Sequence, residues 1–149
     1  MKKNKGFTLI ELLVVISIIG TLVGLIVNNM AGARARARDA KRKSGLNQLK
    51  TALRLYYNDY QIYPVDAFGR YLPLCGGGGD NCQQGDQFSV SGTNYMSSLP
   101  EYQYDQIDSG DNFILKVILE NASDPDIQPS QAACPGGSYA DTEYAVCAD

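Results

Sequence analysis

Histidine is missing from all 149 residues, and with it go histidine-based triads, histidine metal sites and the usual proton shuttle near neutral pH. Catalysis is the least supported class of function. Proline is missing until Pro64, so no ring interrupts a helix in the N-terminal part of the chain. Gly20 and Gly24 weaken such a helix without ending it. Their spacing means either local softness or a close-packing surface for a second helix. Cysteine is missing until Cys75, and neither C-x-x-C nor Gly-Lys-Ser/Thr occurs anywhere. The Gly76 to Gly79 run is followed by Asp80-Asn81-Cys82, so it is low-complexity loop and not a phosphate cradle. Charge is missing, apart from Glu11, from Phe7 to Val27.

That uncharged stretch is the main thing the chain does have. At ~1.5 Å per residue, a helix of about twenty residues spans the roughly 30 Å hydrocarbon core of a bilayer. A secretory signal peptide has a shorter apolar region and a small-residue cleavage site. Here the apolar run is longer than that, and it passes directly into Asn28-Asn29. The segment reads as an uncleaved single-span anchor. Glu11 sits about one turn inside it, where an ionisable group costs roughly 2.5 kcal/mol or more and marks a functional site that needs a named partner.

Lys5-Gly6-Phe7-Thr8-Leu9-Ile10-Glu11-Leu12 resembles the prepilin motif of type IV pilins and of the related type II secretion pseudopilins. The resemblance implies that a membrane-embedded prepilin peptidase and N-methyltransferase cuts between Gly6 and Phe7 and methylates the new amino group of Phe7. It also implies that the Glu11 carboxylate meets the Phe7 amine of a neighbouring subunit as that subunit enters a growing filament. A secondary amine stays cationic near neutral pH, and a buried carboxylate needs such a counter-charge to avoid neutralisation or expulsion from lipid. Gly6, lacking Cβ, suits close approach of a protease.

The implied fold class is α+β and pilin-like. A long N-terminal α-helix, its apolar half in the membrane, packs against a small antiparallel β-sheet in a disulfide-bonded head. The implied division is a leader peptide over 1–6, a transmembrane and assembly helix over 7–27, an amphipathic stem helix over 28–62, and a globular head over 63–149. Many family members carry a proline near the end of the apolar segment; Asn28-Asn29 stand in that region here. The implied partners are the prepilin peptidase, further copies of the subunit in a homopolymer, the cytoplasmic membrane, and a pilus or type II secretion assembly platform. The implied location is a single pass of the inner membrane with the head outside the cytoplasm, then a cell-surface or periplasmic filament.

The net charge of −3 conceals an asymmetry: residues 1–54 hold eleven Lys/Arg against Glu11 and Asp39, while residues 55–149 hold Arg70 and Lys116 against fourteen Asp/Glu. An acidic head argues against nucleic acid as a partner, since phosphate contacts need Lys or Arg. Cys75, Cys82, Cys134 and Cys147 all lie on the side that the anchor exports, and an even number in a small extracytoplasmic domain reads as two disulfides. Three connectivities are open. Cys75 with Cys82 and Cys134 with Cys147 is the local choice. The competing zinc site of four thiolates lacks the usual ligand spacing.

Arg34, Arg38 and Arg42 recur on one helical face, and Asp39 with Lys43 is a favourable i, i+4 pair. This basic stretch reads as a solvated stem face, or as a contact for anionic lipid headgroups or for the acidic heads of neighbouring subunits. Its arginines also oppose the positive-inside rule, which favours keeping them in the cytoplasm; the specific prepilin motif and the cysteine-bearing head outweigh that statistical preference. Leu46, Leu49, Leu53, Tyr56 and Tyr60 then form the apolar stripe of an amphipathic helix. The stretch from Leu46 to Tyr63-Pro64 resembles the stem end of major pseudopilins, and Pro64 disfavours helix at Tyr63.

Residues 65 to 100 read as a variable connecting loop, with a short helix or turn over Tyr95 to Leu99. Tyr102 to Ile107 alternates like a strand, Asp108 to Asp111 supplies a turn, and Asn112 to Glu120 is a second strand with Phe113, Leu115, Val117 and Leu119 on one face. Glu143 to Cys147 is an added edge strand. Asp80, Asp86, Asp124 and Asp126 raise the question of calcium, because the major pseudopilins as a group bind it in a head loop and oxygen ligands are available. No loop signature accompanies them, so no cofactor and no metal ligands are assigned.

The functional expectation is a structural subunit of a type IV pilus or pilus-like filament, and not an enzyme. Within the family the alternative is a type II secretion major pseudopilin; the stem end pulls toward it, while paired cysteines near the C-terminus look more like a pilin loop. From a different class, a monomeric membrane-anchored binding module explains the anchor and disulfides but leaves Glu11 without a purpose.

Overall fold

The computed structural model describes residues 6–66, 71–73, 75 and 82–148, apart from the side chains of residues 28, 29 and 31. Residues 1–5 of the expected leader, the Gly76 to Gly79 run, Asp80 and the side chains of Asn28-Asn29 lie outside the described residues. The chain divides into two compact units, Met1–Arg36 and Ala37–Asp149. Helix α1 (Leu9–Tyr60) contributes to both.

In the first unit α1 carries the apolar run Leu9–Val27 with none of it buried. Its polar side chains are satisfied locally: Ser17 Oγ donates to the Leu13 carbonyl at 2.8 Å and Thr21 Oγ1 to the Ile18 carbonyl at 2.8 Å. Such back-bonding leaves no lone hydroxyl in an apolar setting.

In the second unit the remainder of α1 buries the expected stripe. Leu46, Leu49 and Leu53 are fully covered, with Ala52 and Tyr56 nearly so. Tyr60, the last member, is 40% exposed and stacks on Tyr56 with ring centroids 4.5 Å apart. The helix ends at Tyr60, two residues short of the expected 62. Gln61 takes a left-handed φ of 57° and its N–H closes on the Tyr57 carbonyl at 2.7 Å, a C-terminal cap that acts before Pro64 can.

A three-stranded antiparallel sheet in the order β3 (Gln103–Ile107), β4 (Asn112–Ile118), β5 (Glu143–Cys147) lies on this stripe. The central strand presents Phe113, Leu115 and Val117 to the core, and Leu119 follows them inward, as the alternation required. The β3–β4 link is a short 3₁₀ turn, Asp108–Gly110. Gly110 has φ of 100°, and a Cβ there would collide with the side chain of Ile62, so the turn needs glycine twice over. The chain leaving α1 is bound to the sheet: Tyr104 Oη donates to the Pro64 carbonyl at 2.6 Å and Gln106 Nε2 to the Tyr63 carbonyl at 2.7 Å.

The segment expected to be loop holds ordered structure. Strands β1 (Phe88–Val90) and β2 (Thr93–Met96) form a hairpin, so the short helix or turn expected over Tyr95 to Leu99 is a strand at its start. Aromatic packing is the reason. Phe88 is fully buried, and Tyr95 packs on Phe88 at 5.3 Å and on Tyr56 at 5.6 Å between centroids. Tyr102 Oη, its pKa pushed up to about 12 by burial, donates to the Cys82 carbonyl at 2.6 Å and accepts the Leu72 N–H at 3.3 Å. Helix α2 (Ile127–Ala133) was not expected from the sequence; Pro129 is tolerated in it because it falls in the first turn, where the lost N–H has no intrahelical partner. Cys75 is bonded to Cys82 and Cys134 to Cys147, with no free cysteine left for a zinc site.

Candidate functional site

Two sites emerge, one in each unit. In the first, Gly6, Phe7 and Thr8 precede the first turn of α1 in irregular backbone, and Phe7 is 79% exposed. The Gly6–Phe7 peptide is thus not locked in helical hydrogen bonds. No atom lies within 4 Å of where a Gly6 Cβ would stand, so this chain's own packing makes no demand for glycine there; any demand comes from what binds it.

Glu11 closes on Thr8. Its Oε2 accepts the Thr8 backbone N–H at 2.9 Å and the Thr8 hydroxyl at 2.8 Å, while Thr8 Oγ1 accepts the Glu11 N–H at 3.3 Å. This is a capping box, with two helix-start donors satisfied reciprocally and a carboxylate at the positive end of the helix dipole. Sequence reasoning singled out Glu11 for its charge and missed Thr8 as its companion, although Thr-x-x-Glu before an apolar run is the recognised signature. Phe7 and Glu11 therefore stand within one turn of each other along the chain, and the side chains on every face from Phe7 to Val27 are uncovered.

The second site is an ionic clamp between α1 and the connection that leaves β4. Asp39 is 1% exposed, and its two oxygens accept the backbone N–H groups of Glu120 and Asn121, each at 2.9 Å. Arg42 adds a contact to Asp39 at 3.1 Å. Burial alone would raise the Asp39 pKa, but the two backbone donors and Arg42 outweigh it and hold the carboxyl below its ordinary value. Arg38 grips Glu120 through two nitrogens, at 2.7 and 2.6 Å, and Arg42 also reaches Glu101 at 3.0 Å. The Arg38 hydrogen bond leads in keeping Glu120 below the usual carboxylate range.

Lys43 completes the clamp from the next position. Its ammonium bridges Asp124 at 2.5 Å and Asp126 at 2.7 Å and sits 5.4 Å from the Tyr144 ring centre. The hydrogen bond from Lys43 is the main reason that the Asp124 pKa lies below its ordinary value. Two expectations are corrected here. Asp39 pairs with Arg42 and not with Lys43, and Arg38 and Arg42 serve the carboxylates of their own head rather than forming a purely solvated face. Helical spacing shows which side chains can meet on one helix; it does not show that a loop from elsewhere offers nearer partners. At Gly45, close approach is part of the same packing, because a Cβ would stand 2.7 Å from Pro100 Cβ.

Of the acidic residues considered for calcium, Asp124 and Asp126 enclose Lys43, and Asp86 accepts the Gln83 N–H at 2.8 Å. Among the described residues, no group of three or more His, Cys, Asp or Glu side chains is placed to hold a metal.

Residues 1–27 match the family model described as the prokaryotic N-terminal methylation motif. The chain is also similar to curated proteins. It is 44% identical over 63 residues to type II secretion system core protein G of Escherichia coli K12, covering 42% of this chain and 43% of that protein. It is 41% identical over 69 residues to the protein of the same name from Klebsiella pneumoniae, covering 46% and 49%. It is 36% identical over 61 residues to the type IV major pilin protein PilA of Myxococcus xanthus, covering 41% of this chain and 28% of that protein. The matched region is under half the length of each of these relatives. No solved structure matches.

Proposed function

We propose that this chain is a structural, non-catalytic subunit of a type IV pilus or pilus-like filament, held in the cytoplasmic membrane by α1 until it is assembled. The single observation that carries the reading is the N-terminal methylation motif over residues 1–27, joined to an apolar helix that has no cover of its own. A prepilin peptidase cuts between Gly6 and Phe7 and methylates the Phe7 amine. Glu11 then pairs with the Phe7 amine of a neighbouring copy, while the uncovered apolar helices bundle and the heads face outward. The Thr8 contacts give the carboxylate a local partner until that amine arrives.

The alternative within the family, a type II secretion pseudopilus, is favoured by a specific observation: the relatives named core protein G reach 44% and 41% identity against 36% for the pilin. Mass spectrometry of the N-terminus tests the shared pathway; a start at methylated Phe7 is expected, and an intact Met1 overturns it. Electron microscopy of filaments labelled against the head separates the machines, since label confined beneath the envelope surface removes the surface pilus.

A further inference from the structure

The basic stretch after the apolar run is not one surface. Arg38, Arg42 and Lys43 are bound by carboxylates of the second unit, whereas Arg34 and Arg36, in the first unit, are exposed and have no ion pair or hydrogen bond among the described residues. They are the first basic residues after the apolar run. We propose that Arg34 and Arg36 form a collar that binds the anionic phosphate headgroups of the membrane at the end of the span; this rests on the membrane-anchored reading above.

Three features of α1 support a lipid rather than a protein partner. The first is height. Arg34 and Arg36 follow Val27 by seven and nine residues on an unbroken helix, which places their backbones ~10 and ~13 Å past the hydrocarbon edge. The headgroup layer is roughly 5–8 Å thick on each side of the core. The second is direction. Helical side chains tilt toward the N-terminus, which here is the membrane end, so both arginines extend from their backbones back toward that layer. The third is azimuth. Two residues apart on a helix is about 200°, so the two guanidinium groups stand on opposite sides of α1. A layer of headgroups surrounds the helix and satisfies both, whereas one acidic protein face reaches one. Ala33, Ala35 and Gly32 beside them carry no bulk to obstruct lipid.

The test uses the full chain reconstituted in phosphatidylcholine vesicles containing trace spin-labelled phosphatidylglycerol or spin-labelled phosphatidylcholine. At low salt the protein should hold the anionic label about fivefold more strongly or better, given about fivefold per basic residue near the headgroups, and raising salt should erode the preference. Arg34→Gln with Arg36→Gln should lower it severalfold, while Arg38→Gln, which removes a side chain already engaged with Glu120, should leave it in place. Equal retention of both labels by the unsubstituted chain, or a preference that the double substitution does not lower, overturns the collar. Absence of lipid preference together with loss of filament assembly in the double variant assigns the arginines to a second copy's acidic head instead, and also overturns it. Co-flotation with pure phosphatidylcholine vesicles is read separately: a chain that floats without preference loses only the collar, and one that fails to float loses the anchor as well.

Discussion

Asp39 on the stem helix accepts the backbone N–H of Glu120 at 2.9 Å across 81 residues of sequence. The same carboxylate takes the Asn121 N–H, so a buried charge is neutralised by two amide dipoles and one guanidinium. Removing it strands two backbone donors at once, while Arg42 keeps Glu101. Asp39→Ala should lower head stability by about 2 to 4 kcal/mol, the range for leaving two buried donors unsatisfied. Asp39→Asn keeps one acceptor oxygen and should cost about half as much. Near-UV circular dichroism melts of the full chain in detergent give both values; equal midpoints for all three proteins would remove the clamp from the stability account.

Acid should act on the same clamp. Asp39, Glu120 and Asp124 each have a folded-state pKa below the ordinary value. Groups lowered on folding contribute stability that is complete above their unfolded pKa, about 4, and is lost as pH falls through the folded one. The melting midpoint should therefore be level above about pH 5 and drop below about pH 4. A flat midpoint from pH 5 to pH 3 would contradict the assignment.

Lys43 holds Asp124 and Asp126 together through its ammonium. Chelation with EDTA should leave the head's melting midpoint unchanged, while Lys43→Met, which leaves the two carboxylates facing each other, should lower it. A midpoint raised by calcium and lowered by EDTA in the unsubstituted chain would show that a cation displaces the ammonium.

Disulfide Cys134–Cys147 joins the end of α2 to β5. Hydrogen bonds reinforce the join, with the Ala145 N–H donating to Ser130 Oγ at 3.1 Å and Gln131 Nε2 to the Glu143 carbonyl at 2.8 Å. Replacing both cysteines with serine should destabilise the head by about 3 kcal/mol, from the entropy of a loop of that length, with β5 amides losing hydrogen-exchange protection before those of β4.

Glu11→Gln separates charge from capping, because an amide oxygen still accepts from Thr8. Membrane insertion and head melting should be unchanged, while incorporation into filaments should fall below detection by electron microscopy. Filaments of normal number and length would refute a pairing role for the carboxylate.

Much of the anchor and stem was legible because it is written in local periodicity. The uncharged run from Phe7 to Val27 with a lone Glu11, the stripe of Leu46, Leu49, Leu53 and Tyr56, and the alternation through Phe113, Leu115 and Val117 each dictate a helix or strand and its buried face from neighbours within a few residues. The β1–β2 hairpin left a fainter trace. Ser91-Gly92, with φ of 50° and 86°, separates two short strands by two turn residues, a hairpin signal masked by the glycine-rich stretch before it.

By itself the sequence determined that the chain has a long helix, an apolar half long enough to span a membrane, an acidic head and one carboxylate within the apolar run, because composition and period act locally. Only the tertiary structure decided the fate of the charges on the stem. Lys43 leaves Asp39 for Asp124 and Asp126, Arg38 reaches Glu120, and Arg34 and Arg36 have no ion pair among the described residues. The physical reason is reach: partners brought in by chain closure, some eighty residues away in sequence, leave no periodic mark on the segment they bind.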